Sequence, residues 1–277
     1  MKQLILTFLI ALAFNIQGIA QDDGKIKGDR NVTMKQTDIE PFNKIIVGED
    51  FTVEIVYNSK ASVEVEADDN LHEHIKFNVT DGTLTFKTAL KITSSKKIAI
   101  KVNYTEGLQH IETLENGEIR SLTTLELKNT TLKTTGSSKA YLNIRTDKFD
   151  FTNNEKARVK LNVSAESITA VLGENSKTDA TFNTKALRVD MYQRASANMD
   201  GLAENSIIRL DNSSTFNGKT FTTKTCDLIT ELSSSASLGV TENITIEALG
   251  SSEIYLYNTP KIVLNKFLGT AKLQKKE

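Results

Sequence analysis

Between residues 130 and 257 the apolar positions fall two apart, which is strand spacing, and the whole pattern recurs about every nineteen residues. Starting at Ser138, steps of nineteen reach Ala157, Ser176, Ala195 and Ser214; a step of twenty then gives Ser234 and one of eighteen gives Ser252. Every residue of this column is small. Flanking columns are mainly apolar: Leu142, Leu161, Ala180, Met199, Gly218, Leu238 and Leu256 on one side, and Phe149, Ile168, Leu187, Ser206, Cys226, Ile244 and Ile262 on the other. Each unit divides into two short predicted strands, for example Phe149–Asn153 and Ala157–Val163, with polar turns at Asn154-Glu155-Lys156 and Ser164-Ala165-Glu166. A fixed period near twenty, built of strands without a helical segment, predicts stacked coils, each burying its inward columns against its neighbours. The fold class is all-β, a parallel β-helix with coils of about nineteen residues. At ~4.8 Å per coil, seven coils make a rod of roughly 34 Å.

The organisation outside the regular coils is less periodic. Residues 1–20 combine Lys2, an apolar run from Leu4 to Phe14 and the small residues Gly18-Ile19-Ala20. That order predicts a signal peptide, with the mature chain starting near Gln21. Residues 21–40 are a polar lead-in, flexible or forming a first edge strand. Residues 41–120 alternate as strands do, in FTVEIV, SVEVEA and KIAIKV, without the nineteen-residue register. They are expected to form an irregular cap continuous with the solenoid, with a tight turn at Asp81-Gly82. The regular repeats are assigned to 121–273, where FLGTAKL at 267–273 echoes ALGSSEI one coil earlier.

Composition narrows the functional classes. With 34 Lys+Arg against 35 Asp+Glu there is no net field to favour nucleic acid or anionic lipid. No segment after the leader is apolar enough for a membrane-spanning helix. Cys226 is the only cysteine, so no internal disulfide exists, and its register places it in the core as an inert thiol.

Candidate chemistry was sought on the outward columns. A polysaccharide lyase or hydrolase would need acids or a basic residue converging from neighbouring coils. Outward charges one coil apart have opposite sign instead: Lys160 with Asp179, Asp190 with Arg209, and Asp200 with Lys219. These are expected to form cross-strand ion pairs, and no stacked carboxylate pair is expected. Asn143 over Asn162, and Asn198 over Asn217, suggest amide ladders. His72 and His74 would share a face if NLHEHIKF were extended, and with Asp68 or Asp69 could hold Zn²⁺, but no third ligand is suitably spaced. Tyr141, Tyr255 and Tyr257 point outward and could stack on sugars. No catalytic, cofactor-binding or metal-binding residue is assigned, no cofactor is expected, and the ligand-binding residues and oligomeric state stay open.

PFNKIIVGEDFTVEIVYNSKASVEVEADDNL at 41–71, then DGTLTF at 81–86, then repeats centred on small-residue corners together resemble the head GIN domain family of auto-transporter adhesins. The likeness spans nearly the whole chain beyond the leader. It implies a right-handed parallel β-helix exported to the periplasm or cell surface. The Gly-Ser-Gly-Asp corner typical of that family is altered here to Gly136-Ser137-Ser138-Lys139 and Gly250-Ser251-Ser252-Glu253, or lost, as in Asn154-Glu155-Lys156. The implied role is a non-catalytic envelope protein, adhesin-like and binding surface glycans or other envelope proteins. The alternatives are a structural envelope protein without a small ligand and, least favoured, a polysaccharide lyase or hydrolase.

Overall fold

The computed structural model describes residues 24–277, so the signal-peptide assignment lies outside the described residues. In chain order the strands are β1 (Lys25–Lys27), β2 (Val32–Asp38), β3 (Lys44–Val47), β4 (Thr52–Tyr57), β5 (Ser62–Asp68), β6 (Ile75–Thr80), β7 (Thr83–Thr88), β8 (Lys91–Ser94) and β9 (Ile98–Tyr104). Then come β10 (His110–Thr113), β11 (Glu118–Ser121), β12 (Leu125–Glu126) and β13 (Asn129–Thr134). The long strands are β14 (Lys139–Asn153), β15 (Arg158–Leu172), β16 (Lys177–Met191), β17 (Ser196–Leu210), β18 (Thr215–Thr230) and β19 (Ser235–Ala248). The chain ends with β20 (Glu253–Tyr257), β21 (Lys261–Phe267) and β22 (Lys272–Lys275). Among the described residues the only helical element is the 3₁₀ turn Asp69–Leu71.

The long strands pair in parallel at the predicted register, with Ala140 beside Val159, Thr178, Ala197, Phe216, Ala236 and Ile254 in successive coils. The fold is a parallel β-helix. Its small-residue column is buried throughout, from Ser138 to Ser252. Each coil differs from expectation in one respect: residues 164–166 do not interrupt it. The strand runs fifteen residues, as in Arg158–Leu172, and its ladder keeps the same register on both sides of Glu166, which it skips. Only the other corner breaks the strand. The long coil is absorbed by irregular pairing between Asn198 and Gly201, and the short one by irregular pairing between Gly218 and Thr222 and between Thr223 and Thr225.

That corner explains the recurring Gly-Ser phrase. Gly136, Glu155, Glu174, Gln193, Asn212, Leu232, Gly250 and Gly269 occupy one column and all have positive φ. Glycine takes this conformation without steric cost, whereas an L side chain pays for it. At Gly136 a Cβ would also stand 2.6 Å from the Glu115 nitrogen. The column overturns one expectation, because Glu155 and Glu174 stack on neighbouring coils, with the Asn175 N–H donating to the Glu155 carbonyl at 2.9 Å. These residues sit in the turns between the long strands.

The cap is where chain order and stacking order part. β3 pairs in parallel with both β7 and β10, and β4 with both β9 and β11. The coil made by β3 and β4 therefore lies between one made by β7 and β9 and one made by β10 and β11. β5 closes the end by pairing antiparallel to β9, and β2 pairs antiparallel to β5 as an outer edge strand. β1 forms a separate two-stranded parallel sheet with β8. Asp81 and Gly82 both have positive φ between the antiparallel β6 and β7, the geometry of a two-residue hairpin turn. At the far end β22 pairs with β20 as a further rung.

A trough across the first coils

Two clefts lie where the cap meets the regular coils. The first, of about 560 Å³, is lined by Glu54, Arg120, Tyr141, Asn143, Lys160 and Asn162 among others. Alternation puts these side chains outside, because their neighbours Ile55, Ile119, Leu142 and Leu161 fill the core. Glu54, Arg120, Tyr141 and Lys160 form one column over four coils. The Arg120 guanidinium lies 4.4 Å above the Tyr141 ring, and its Nε donates to Glu118 Oε1 at 2.5 Å. Ser121 Oγ accepts the Asn143 N–H at 2.9 Å.

The second cleft, of about 750 Å³, includes Tyr57, Tyr104, Glu106, Glu126, Leu127, Arg145 and Asp147. The Tyr57 and Tyr104 rings meet edge to face at 5.7 Å. Tyr57 is half exposed, while Tyr104 is buried. The Tyr104 hydroxyl approaches the Glu126 backbone without reaching hydrogen-bond geometry, so it is a buried polar atom without a partner. Burial, reinforced by the negative charge of Glu126, pushes its pKa up to about 12. Arg145 donates to Glu126 Oε1 at 2.8 Å. Leu122, between β11 and β12, lines the first cleft and is 48% exposed. Together they offer two aromatic walls, cationic and anionic groups in near balance, and amide edges. This equipment suits stacking and hydrogen bonding to a polyhydroxylated ligand.

The residues singled out from the sequence distribute differently. Tyr141 belongs to the first cleft. Tyr255 shares its column at the far end of the rod, where its hydroxyl donates to Glu253 Oε2 at 2.7 Å and Lys276 lies 4.9 Å from its ring centroid. Tyr257 has Lys219 at 5.7 Å. Two of the three expected ion pairs have the right register, and all three have other partners. Asp179 accepts from Asn198 at 2.7 Å, Asp190 holds Arg188 at 2.8 Å on its own coil, and Arg209 reaches Glu231 at 3.4 Å. Asp200 accepts from Thr220, because the bulge displaces Lys219 from the register. Asn217 donates to Asn198 Oδ1 at 3.1 Å, which bears out that amide ladder and extends it to Asp179. Asn143 and Asn162 share a register.

His72 and His74 are not on a strand, because the 3₁₀ turn ends at Leu71 and β6 starts at Ile75. His72 Nε2 contacts Thr33 Oγ1 at 3.0 Å, and His74 Nε2 faces Glu73 at 3.3 Å. Asp68 is buried and accepts the backbone N–H groups of Arg30, Lys96 and Lys97. Among the described residues no group of three His, Cys, Asp or Glu could hold a metal. Cys226 is buried and free, with burial pushing its thiol up to about 12. Tyr57 and Tyr104 escaped the sequence reading because they meet only through the pairing of β4 with β9.

A stack of coils in parallel register places the chain in the class of β-solenoid repeat proteins. The chain belongs to the family described as putative auto-transporter adhesin, head GIN domain, whose pattern matches residues 41–181 and 155–260. A putative adhesin from Parabacteroides merdae has a similar structure at 17% identity and a TM-score of 0.67, covering 91% of this chain and 99% of that one. A putative adhesin from Parabacteroides distasonis gives 16% identity and 0.66, covering 90% of this chain and 100% of that one. A putative lipid binding protein from the same species gives 13% and 0.59, covering 91% and 100%. At these identities the likeness is one of fold. No curated protein matches the chain. No described helix is long and apolar enough to cross a membrane.

Proposed function

We propose that the protein is an exported, non-catalytic adhesin of the cell envelope that binds surface glycans through the trough between cap and coils. Membership of the adhesin family supports the adhesive role, and the leader-like residues 1–20 support export. The observation that carries the glycan reading is the pairing of the half-exposed Tyr57 with the buried, unpartnered Tyr104 hydroxyl, beside Arg120 stacked on Tyr141. Sugar rings offer apolar faces to tyrosines and hydroxyls to amides and charged groups. The test is a glycan array probed with the secreted protein and with Tyr57→Ala and Arg120→Ala. Binding that falls at least tenfold in both variants supports the reading. Absence of any glycan bound by the wild type would favour a purely structural envelope role, and release of reducing ends from a bound glycan would favour an enzyme.

A further inference from the structure

The last rung of the solenoid is built like an interior one, and no described residue forms a coil over it. Ile262 and Leu264 stand in the same columns as Ile244 and Ile246, which are fully buried one coil earlier. In the last rung Ile262, Val263, Leu264, Phe267 and Leu268 are 38–60% exposed. β21 pairs only with β19, and β22 only with β20, so their outer edges carry unpaired backbone groups among the described residues. The rung is also basic. It carries Lys261, Lys266, Lys272, Lys275 and Lys276 against the single carboxylate side chain of Glu277. Two of these lysines already show what charge suits them: Lys266 lies 3.0 Å from Glu247 and Lys272 lies 2.9 Å from Glu253, each one coil below.

We propose that this end is a docking site for an extended segment of another protein that alternates acidic with apolar residues and adds as the next parallel rung. Such a strand supplies three things at once. Its backbone satisfies the open edge, its apolar side chains cover Ile262 and Leu264, and its carboxylates continue the Glu-Lys columns upward. A seven-residue β21 offers roughly 23 Å of edge at ~3.3 Å per residue. The alternatives fit less well. A second copy joined through the same end would set lysines against lysines. Joined through the opposite end it would meet β2, whose sequence VTMKQTD has no matching apolar run. A lipid surface would suit the side chains but leave the open strand edge unsatisfied in hydrocarbon.

The probe is a labelled, end-capped peptide alternating Glu with Val, titrated with the secreted protein and followed by fluorescence anisotropy. Controls are a Lys–Val peptide and the variants Leu264→Asp and Lys261→Glu/Lys275→Glu, which change exposed groups and whose fold is checked by circular dichroism. The expected result is saturable binding of the Glu–Val peptide only, weakened at least tenfold by either variant and by raised salt. Failure of the wild type to bind it, or undiminished binding to Leu264→Asp, overturns the proposal. A dimer in sedimentation that Leu264→Asp abolishes would assign the end to a second copy instead. Binding to anionic vesicles, but not to the peptide, would assign it to a lipid surface. Neither the variants nor the probe touches the trough, so this outcome is independent of glycan binding.

Discussion

Ser176 and Ser214 fill a corner column where the only demand is for a small side chain. Both hydroxyls are buried and have no hydrogen-bond partner, whereas Ser138 bonds Thr113 at 2.9 Å and Ser252 bonds Thr230 at 3.1 Å. A buried unsatisfied hydroxyl costs about 1–3 kcal/mol. Ala157 and Ala195 occupy the same column in neighbouring coils without strain. Ser214→Ala should therefore stabilise the protein by about 1 kcal/mol, read as a higher urea midpoint at unchanged slope. Cys226 lies between Ser206 and Ile244. Its pKa of about 12 leaves almost no thiolate at neutral pH. Alkylation should be at least a hundredfold slower in the native protein than in denaturant, and comparable rates would remove Cys226 from the core.

At the scale of the element, the positive-φ corner carries a conformational cost in the coils where it is not glycine. Leu232 holds this conformation with its side chain 54% exposed, so it buries little in return. An L residue there costs about 1–2 kcal/mol, and glycine gives back about 0.4–1 kcal/mol through the entropy of the unfolded chain. Leu232→Gly should therefore be stabilising by roughly 0.5–1 kcal/mol in urea denaturation. Gly136→Ala should lose about 2 kcal/mol or more, since strain and a backbone clash combine.

The cap has a different fastening. Asp68 ties the stretch before β2 to the loop between β8 and β9, and a Cβ at Gly28 would stand 2.0 Å from its carboxylate. Burial pushes the Asp68 pKa up, but the N–H groups of Lys96, Arg30 and Lys97 and the Lys96 charge outweigh it and hold it below the usual value. A depressed folded pKa contributes stability that is fully present above the unfolded value, near 3.9, and lost as pH falls through the folded one. Acid unfolding followed by circular dichroism should thus lose a low-pH component in Asp68→Asn, leaving that variant less stable at neutral pH and flatter in its acid dependence.

For the whole molecule, each coil is stabilised by its neighbours, so stability should be lowest where a neighbour is missing. β21 and β22 have one neighbour each, while β15, β16 and β17 have two. Hydrogen exchange should run at least tenfold faster in 261–275 than in the central coils. A uniform rate along the rod would show that it unfolds as one unit.

The sequence alone determined the regular coils, because each inward column is a local requirement renewed every nineteen residues: small at the corner, apolar at the strand centres. It also determined the burial of Cys226, which follows from that column, and the Asp81-Gly82 turn, which follows from two positive φ angles. Tertiary structure decided what has no period. The coil of β3 and β4 sits between two coils that come later in the chain, so Tyr57 meets Tyr104 only through a pairing that no local pattern announces. Outward partners were decided there too: Asp190 shares a register with Arg209 yet bonds Arg188, since side chains on a solvated face choose among several reachable charges of similar small worth. The exposure of Ile262 was likewise invisible in a column that reads as core, because burial there depends on the presence of a coil above and not on the residue itself.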